Sequence, residues 1–233
     1  MEKPHGVLFD LDGVLVLTEP LKAAAHVATI KELGGDAPLS LYSELMGKSH
    51  DTVRRAFLTA AGLDVEPVTY TQTFGRIYRH LLQTQLELAP GALELLTQLA
   101  GIGYKLAVVT SSSSQTLANI LRQANLAAFF DAQVSADEVA QKKPAPDAYI
   151  LALRLLNIPP TCAVVIEDSD TGIQAASAAG LHALAIRHSL NAHHDLTQAY
   201  AIFDSLQDGN LIHTIDALLN PGNRELLISQ GAH

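Results

Sequence analysis

The sequence has one cysteine, Cys162, in 233 residues, so no internal disulfide can form. That usage suits a reducing compartment, and a cytoplasmic location is the expectation. Cys162 opens an apolar run and reads as a buried structural thiol. Basic residues are scarce: 15 Lys and Arg stand against 24 Asp and Glu, for a formal charge of −9. This argues against nucleic acid or an anionic membrane surface as the main partner. It leaves room for a small anion, because a local cation can reverse the sign inside one pocket. No apolar stretch approaches the roughly 20 residues needed to cross a bilayer. The opening residues show no signal-peptide core, since Asp10 interrupts the short run Val7-Leu8-Phe9. Low-complexity segments and repeats are missing too. The expectation is a soluble protein, a monomer by default, with no nucleic acid and no membrane partner.

What the chain does have is a real core and a regular alternation. Hydrophobic residues make up 48% and charged residues 17%, an ordinary globular balance. Short apolar runs end in polar clusters: Val7-Leu8-Phe9 before Asp10, Leu106 to Val109 before Thr110, and Ala163 to Ile166 before Glu167. Weaker runs cover Phe130 to Val134, Ala183 to Ile186 and Ala201 to Phe203. Continuous runs of this length suit strands buried on both faces of a parallel sheet. Between them, Ala92 to Leu99, Thr116 to Ala124, Tyr149 to Leu156 and Ser169 to Ala179 have helical spacing, with Gly180 as a C-terminal stop. Strand alternating with helix predicts an α/β sheet with right-handed crossovers.

The interval from about Thr18 to Gln85 differs, having helical segments and no strand run. Leu21 to Leu33, Asp51 to Ala61 and Tyr70 to Leu86 are punctuated by Gly34-Gly35 and Gly62. It reads as a helical cap inserted after the first strand. The stripe Tyr70, Phe74, Ile77, Tyr78, Leu81 and Leu82 is expected to pack cap helices.

The polar clusters carry the chemistry. In open parallel sheets the ligand crevice lies beyond the carboxyl ends of the strands. Asp10-Leu11-Asp12-Gly13, Thr110-Ser111-Ser112, the loop Lys143-Pro144-Ala145-Pro146-Asp147 and Glu167-Asp168-Ser169 would all converge there. Each alone is ordinary: a helix cap, a solvated turn, a loop lysine. Together they crowd Asp10, Asp12, Glu167 and Asp168 into one space, where alternation along an extended chain puts Asp10 and Asp12 on one side. So many carboxylates call for a hard cation, and Mg²⁺ takes oxygen ligands and is readily shared with a phosphate. With Lys143 and hydroxyl donors added, such a site is built to receive a phosphoryl group.

These four phrases, in this order, resemble the motifs of the haloacid dehalogenase-like hydrolase superfamily. They are Phe9-Asp10-Leu11-Asp12-Gly13-Val14-Leu15, Thr110, Lys143 in Lys143-Pro144-Ala145-Pro146-Asp147, and Glu167-Asp168-Ser169-Asp170-Thr171-Gly172-Ile173. The last two resemble the branch containing β-phosphoglucomutase and many small-metabolite phosphatases. The resemblance implies a doubly wound, Rossmann-like α/β core at residues 1–16 and 86–233 and a helical cap at 17–85. It implies hydrolysis of a small phosphomonoester, a sugar phosphate or similar metabolite. Asp10 would be the nucleophile and Asp12 the acid and base, with a raised pKa or a proton held by geometry. Thr110, Ser111 and Ser112 would bind phosphate oxygens, and Lys143 would pair with Asp10. Mg²⁺ would be held by Asp10, the Asp12 carbonyl, Asp168, and Glu167 directly or through water. The second Asp favours phosphate over halide chemistry.

Departures from the pattern bear on specificity. Leu17 stands where the family carries an acid, Lys22 where it carries His, and Lys142 where it often has Gly. The phrase Met46-Gly47-Lys48-Ser49-His50 resembles the family's substrate-reading loop, with His50 where the mutase would carry Arg. Lys22, Gly47, Lys48 and His50 are thus the candidates for reading the leaving group. A sugar-phosphate mutase and a non-catalytic binding protein are the alternatives. His188, His193 and His194 read as a surface loop, and His182 as the start of a strand.

Overall fold

The apolar runs form one parallel sheet. In the computed structural model, which describes residues 4–220, its strands are β1 (Gly6–Phe9), β2 (Lys105–Val109), β3 (Ala132–Val134), β4 (Ala163–Glu167), β5 (His182–Ile186) and β6 (Ala201–Phe203). Their spatial order is β3-β2-β1-β4-β5-β6, and every pairing is parallel. The chain works outward from β1 on one side, then returns to lay β4 on the other. The order therefore reverses beside β1, whose carboxyl end is the place for a ligand crevice. Phe9 is in register with Val108 and with Ile166, so the next residues of all three strands emerge side by side.

Strand alternation sorts the core onto two faces. Val7, Phe9, Leu106, Val108, Val164 and Ile166 meet α4 (Ala92–Ile102), α5 (Ser114–Gln123) and α8 (Gly209–Leu219). Leu8, Ala107, Val109 and Val165 meet α6 (Asp147–Leu156) and α7 (Asp170–Ala178). Helix α8 lies beyond the strand–helix alternation read from the sequence, yet Leu211, Ile215 and Leu219 recur at helical spacing and are buried. Helix α7 stops as expected: Gly180, one residue past the cap, has φ +77, a left-handed turn that Gly adopts without strain. Cys162 is half-buried, just before β4, rather than buried as expected; the residues packed inside the sheet begin at Ala163. No helix among the described residues is long and apolar enough to cross a membrane.

Between β1 and β2 run α1 (Thr18–Glu32), α2 (His50–Ala61) and α3 (Pro67–Gln85). Ser49 caps α2 by accepting the Thr52 amide, and Gly62 ends it at φ +64. The entry and exit of this insertion are stitched together. Val16 bridges Leu88, the Leu17 amide donates to the Glu87 carbonyl, and the Ala89 amide donates to the Leu15 carbonyl. The aromatic stripe on α3 divides: Tyr70 packs within the insertion, Tyr78 and Leu82 join the main core, and Phe74 touches both.

His26, on α1, sits among the insertion's aromatic rings. Its ring centroid lies 4.3 Å from that of Phe74 and 5.1 Å from that of Phe57, and Nδ1 is 2.8 Å from the Tyr70 hydroxyl. Burial, aided by His50 and Lys22, pushes its pKa down to about 3. The unfolded chain protonates this histidine near 6.5. Between those values the unfolded state holds the extra proton, so stability falls as pH drops through that window. Replacing His26 by Phe removes this dependence on pH. Denaturant unfolding from pH 7 to pH 4.5 should show wild type losing roughly 2 kcal/mol relative to His26→Phe. A difference that does not change with pH would mean that His26 is not held neutral.

Candidate active site

Three N–H donors on one ammonium organise the crevice floor. Lys143 Nζ donates to Asp10 Oδ1 at 2.6 Å, to Glu167 Oε1 at 2.7 Å and to the Val109 carbonyl at 3.0 Å. It also lies 4.8 Å above the Tyr149 ring, and its side chain is only 4% exposed. Glu167 has no exposed surface. Its Oε1 also accepts the Tyr149 hydroxyl, and its Oε2 accepts the Asp168 and Ser169 amides and the Ser169 hydroxyl. The Ser169 oxygen in turn caps α7 by accepting the Gly172 amide. A Cβ on Gly172 would fall 1.7 Å from Glu167 Oε1, so this glycine makes room for the carboxylate over the first turn of the helix.

Asp10, Glu167 and Asp168 each place an oxygen within 4.8 Å of the others. Burial works against ionising Glu167, but Lys143 and its hydrogen bonds outweigh that and hold its pKa below the usual range. Asp10 and Asp168 are raised well above it, by burial first. Lys143 opposes the rise at Asp10, while the neighbouring carboxylates add to it at both. Lys143 is held charged by Asp10 and Glu167 against the cost of its burial. The floor thus carries more acid than its lysine can neutralise. This oxygen-only donor set fits a hard divalent cation such as Mg²⁺.

Asp12 faces a different set of partners. The chain leaves β1 after Phe9, so Asp10 and Asp12 sit in the following turn rather than on one strand face. Asp12 Oδ1 accepts the Thr18 hydroxyl and the Lys22 ammonium; Oδ2 accepts the Thr110 and Ser112 hydroxyls. Burial would raise its pKa, but Lys22 and these donors bring it below the usual value. Of the two expectations, a raised pKa or a proton held by geometry, the first is not met: Asp12 rests as a carboxylate. Lys22 lines the cavity while paired with Glu19 at 2.7 Å and Asp12 at 2.9 Å. Glu19 itself accepts the Tyr42 hydroxyl.

The histidine loop also departs from expectation. His193 is exposed, as a surface loop implies. His188, however, reaches Asp168, with Nε2 2.9 Å from Oδ2. His194 lies with Nδ1 3.0 Å from Asp170 Oδ1, its side chain 7% exposed. A Cβ on Gly47, at φ +78, would come within 3.0 Å of His194 Cε1, so the insertion's loop closes against this residue. Leu190 packs against the insertion's own apolar cluster. Sequence reading missed these contacts because the partners lie about 20 residues or more away, across β5.

One cavity of about 280 Å³ joins the two halves. Asp10, Asp12, Ser111, Ser112, Lys143 and Asp168 line it from the sheet, and Lys22, Gly47, Lys48 and His50 from the insertion. Thr110 and Glu167 lie beneath, 2% and 0% exposed. His26, Tyr42, Phe74 and Tyr78 also line it, and the sequence reading did not place them there. Phe74 and Tyr78 carried only a helical aromatic spacing, which packing alone accounts for equally well, and His26 and Tyr42 carried no pattern.

The fold and site together define an α/β protein with an acid-lined cavity at the sheet's switch point, roofed by inserted helices. Residues 7–186 match the family model described as haloacid dehalogenase-like hydrolase, and the chain belongs to that family of hydrolases. Among its relatives, the phosphorylated carbohydrates phosphatase of Thermotoga maritima is 31% identical over 85% of this chain and 92% of its own length. The fructose-1-phosphate phosphatase YqaB of Escherichia coli is 31% identical over 80% of this chain and 98% of its own. The crystal structure of CbbY from Rhodobacter sphaeroides in complex with phosphate superposes with a TM-score of 0.77 at 31% identity, covering 88% of this chain and 96% of that one.

The Gly172 contact is testable through stability. Gly172→Ala should cost about 1–3 kcal/mol, because the pinned Glu167 carboxylate cannot yield. Calorimetry would then show a melting temperature several degrees lower. Gly75, inside α3 with open space around its Cα, is the control: Gly75→Ala should stabilise by roughly 0.5–1 kcal/mol. Equal melting temperatures for Gly172→Ala and wild type would remove the steric argument.

Proposed function

We propose that this hydrolase is a Mg²⁺-dependent phosphatase acting on a small phosphomonoester, with Asp10 as its covalent nucleophile. The observation that carries this is Asp10 itself. It lies on the cavity wall with Oδ1 tied to Lys143, leaving Oδ2 to the incoming group. Asp10 attacks phosphorus, the bond to the leaving-group oxygen breaks, and an aspartyl-phosphate forms. Asp12 gives the departing oxygen its proton, then takes one from the water that hydrolyses the intermediate. Asp12 starts as a carboxylate, and a phosphate anion arriving beside it supplies the negative charge that favours its protonation. Ser111 and Ser112 line the phosphate's position, and Thr110 supports them from below by accepting the Ser112 amide.

Mg²⁺ would be held by Asp10, Asp168 and the Asp12 carbonyl. Both oxygens of Glu167 are engaged by Lys143, Tyr149 and the 168–169 turn, so Glu167 would act by charge and by fixing that turn, or through water. The bound ion would supply neutralisation of the phosphoryl oxygens' charge. Residues 17–85 would serve as a cap over a core of 1–16 and 86–233, excluding bulk water. The cap wall mixes rings with polar groups at Tyr42, Lys48 and His50, which suits a compact polyhydroxylated leaving group. Phosphorylated carbohydrates are the substrate class named for the Thermotoga and Escherichia relatives, and we place this chain's substrate there.

Phosphate release from a panel of sugar phosphates and other phosphorylated metabolites, with Mg²⁺ and with chelator, tests this reading. Release from one or a few members that chelator abolishes is the expected result. Isomerised sugar phosphate without free phosphate would instead indicate a mutase. Asp10→Asn should lower turnover about a thousandfold or more while the protein still folds. Wild-type turnover in that variant would refute the nucleophile assignment.

A further inference from the structure

We infer that His188, set by the 188–191 turn, is a positioning residue that aims Asp168 at the metal. The inference rests on the metal site proposed above. The tautomer is fixed by the backbone: His188 Nδ1 accepts the Leu190 amide at 3.3 Å, so the ring's proton sits on Nε2. That N–H donates to Asp168 Oδ2 at 2.9 Å. Asn191 locks the arrangement from both ends. Its Oδ1 accepts the His188 amide, and its Nδ2 donates to the Asp168 carbonyl and the Ile186 carbonyl, each at 2.8 Å. A Cβ at Gly13 would fall 2.1 Å from the same Asp168 Oδ2 and 3.2 Å from His188 Nε2, so only a glycine leaves room beside this contact. Asp168 Oδ2 is thus held by His188 with Gly13 packed alongside, and Oδ1 is left without a hydrogen bond among the described residues, in a carboxylate that clusters with Asp10 and Glu167. A ligand carboxylate held by an outer donor in this way binds a cation without first being ordered, and loss of such a donor typically weakens affinity 10–100-fold.

The test measures the ion rather than turnover. Mn²⁺ binding to the full chain, followed by the electron paramagnetic resonance of free Mn²⁺ with Mg²⁺ as competitor, reads the site directly. His188→Asn keeps an oxygen that can accept the Leu190 amide but is too short to reach Asp168. It should weaken Mn²⁺ and Mg²⁺ by about 10–100-fold. Its metal-free melting temperature should stay near that of wild type. His188→Gln, whose amide can extend to Asp168, should recover most of the affinity. Affinity within twofold of wild type in the Asn variant would overturn the proposal. Equal losses in both variants with a lowered metal-free melting temperature would overturn it as well, by showing that the loop had collapsed. Wild type that binds neither ion would instead sink the metal reading on which the inference stands.

Discussion

The ammonium of Lys143, placed between Asp10 and Glu167, is the contact on which the rest of the site depends. It joins a loop to the ends of β1, β2 and β4, through Asp10, the Val109 carbonyl and Glu167 respectively. Three strands must be adjacent for one side chain to do this, and only the β2-β1-β4 order provides it. Burying such a group is expensive unless every donor and acceptor is used. Here Lys143 spends all three of its N–H groups, and Glu167 accepts from both sides. The α7 cap, Tyr149 and Gly172 are the structural consequences of satisfying that one carboxylate.

A second set of contacts ties the inserted helices to this floor. Lys22 reaches from α1 down to Asp12, while Glu19 holds Lys22 and links it to Tyr42. On the far side, Leu190 and His194 meet the insertion, and the same loop holds Asp168 and Asp170. The insertion therefore touches two of the acidic turns through Lys22 and through the loop of Leu190 and His194, in addition to the apolar contacts of Leu21, Tyr78 and Leu82 with the main core. Such contacts have definite geometry, so a change in the insertion's position is felt at Asp12 and at the 168–170 turn together.

The sheet was legible because its strands are buried on both faces and read as unbroken apolar runs between polar clusters. The convergence of Asp10, Lys143 and Asp168 followed from the parallel order, which brings strand ends together whatever lies between them. What stayed hidden depends on distances that sequence does not encode. Lys22 sits in the cavity, but its pairing with Asp12 and Glu19 appears only in space. The lowered pKa of Asp12 follows from those same contacts. His188 and His194 lie in a polar loop, and nothing in their spacing marks the acidic turn they meet. His26 was lost for the opposite reason: one histidine among rings looks like packing, and much of its environment is packing.

Charge balance makes the final point about the site. Asp10, Asp12, Glu19, Glu167 and Asp168 are gathered around two lysines, Lys22 and Lys143. Lys22 is consumed by Asp12 and Glu19, and Lys143 by Asp10 and Glu167. Asp168 has only a neutral histidine. Such a cluster should repel a phosphate, yet the cavity is lined with hydroxyls and opens onto Asp10. Burial and the neighbouring carboxylates raise the pKa of two carboxyls of this cluster, Asp10 and Asp168. Those are the groups that the proposed reaction needs ionised, one as nucleophile and both as ligands. A divalent cation carries the charge of two protons and leaves both carboxylates ionised. The acidity that would repel an anion is, on this reading, what attracts the cation that can hold one.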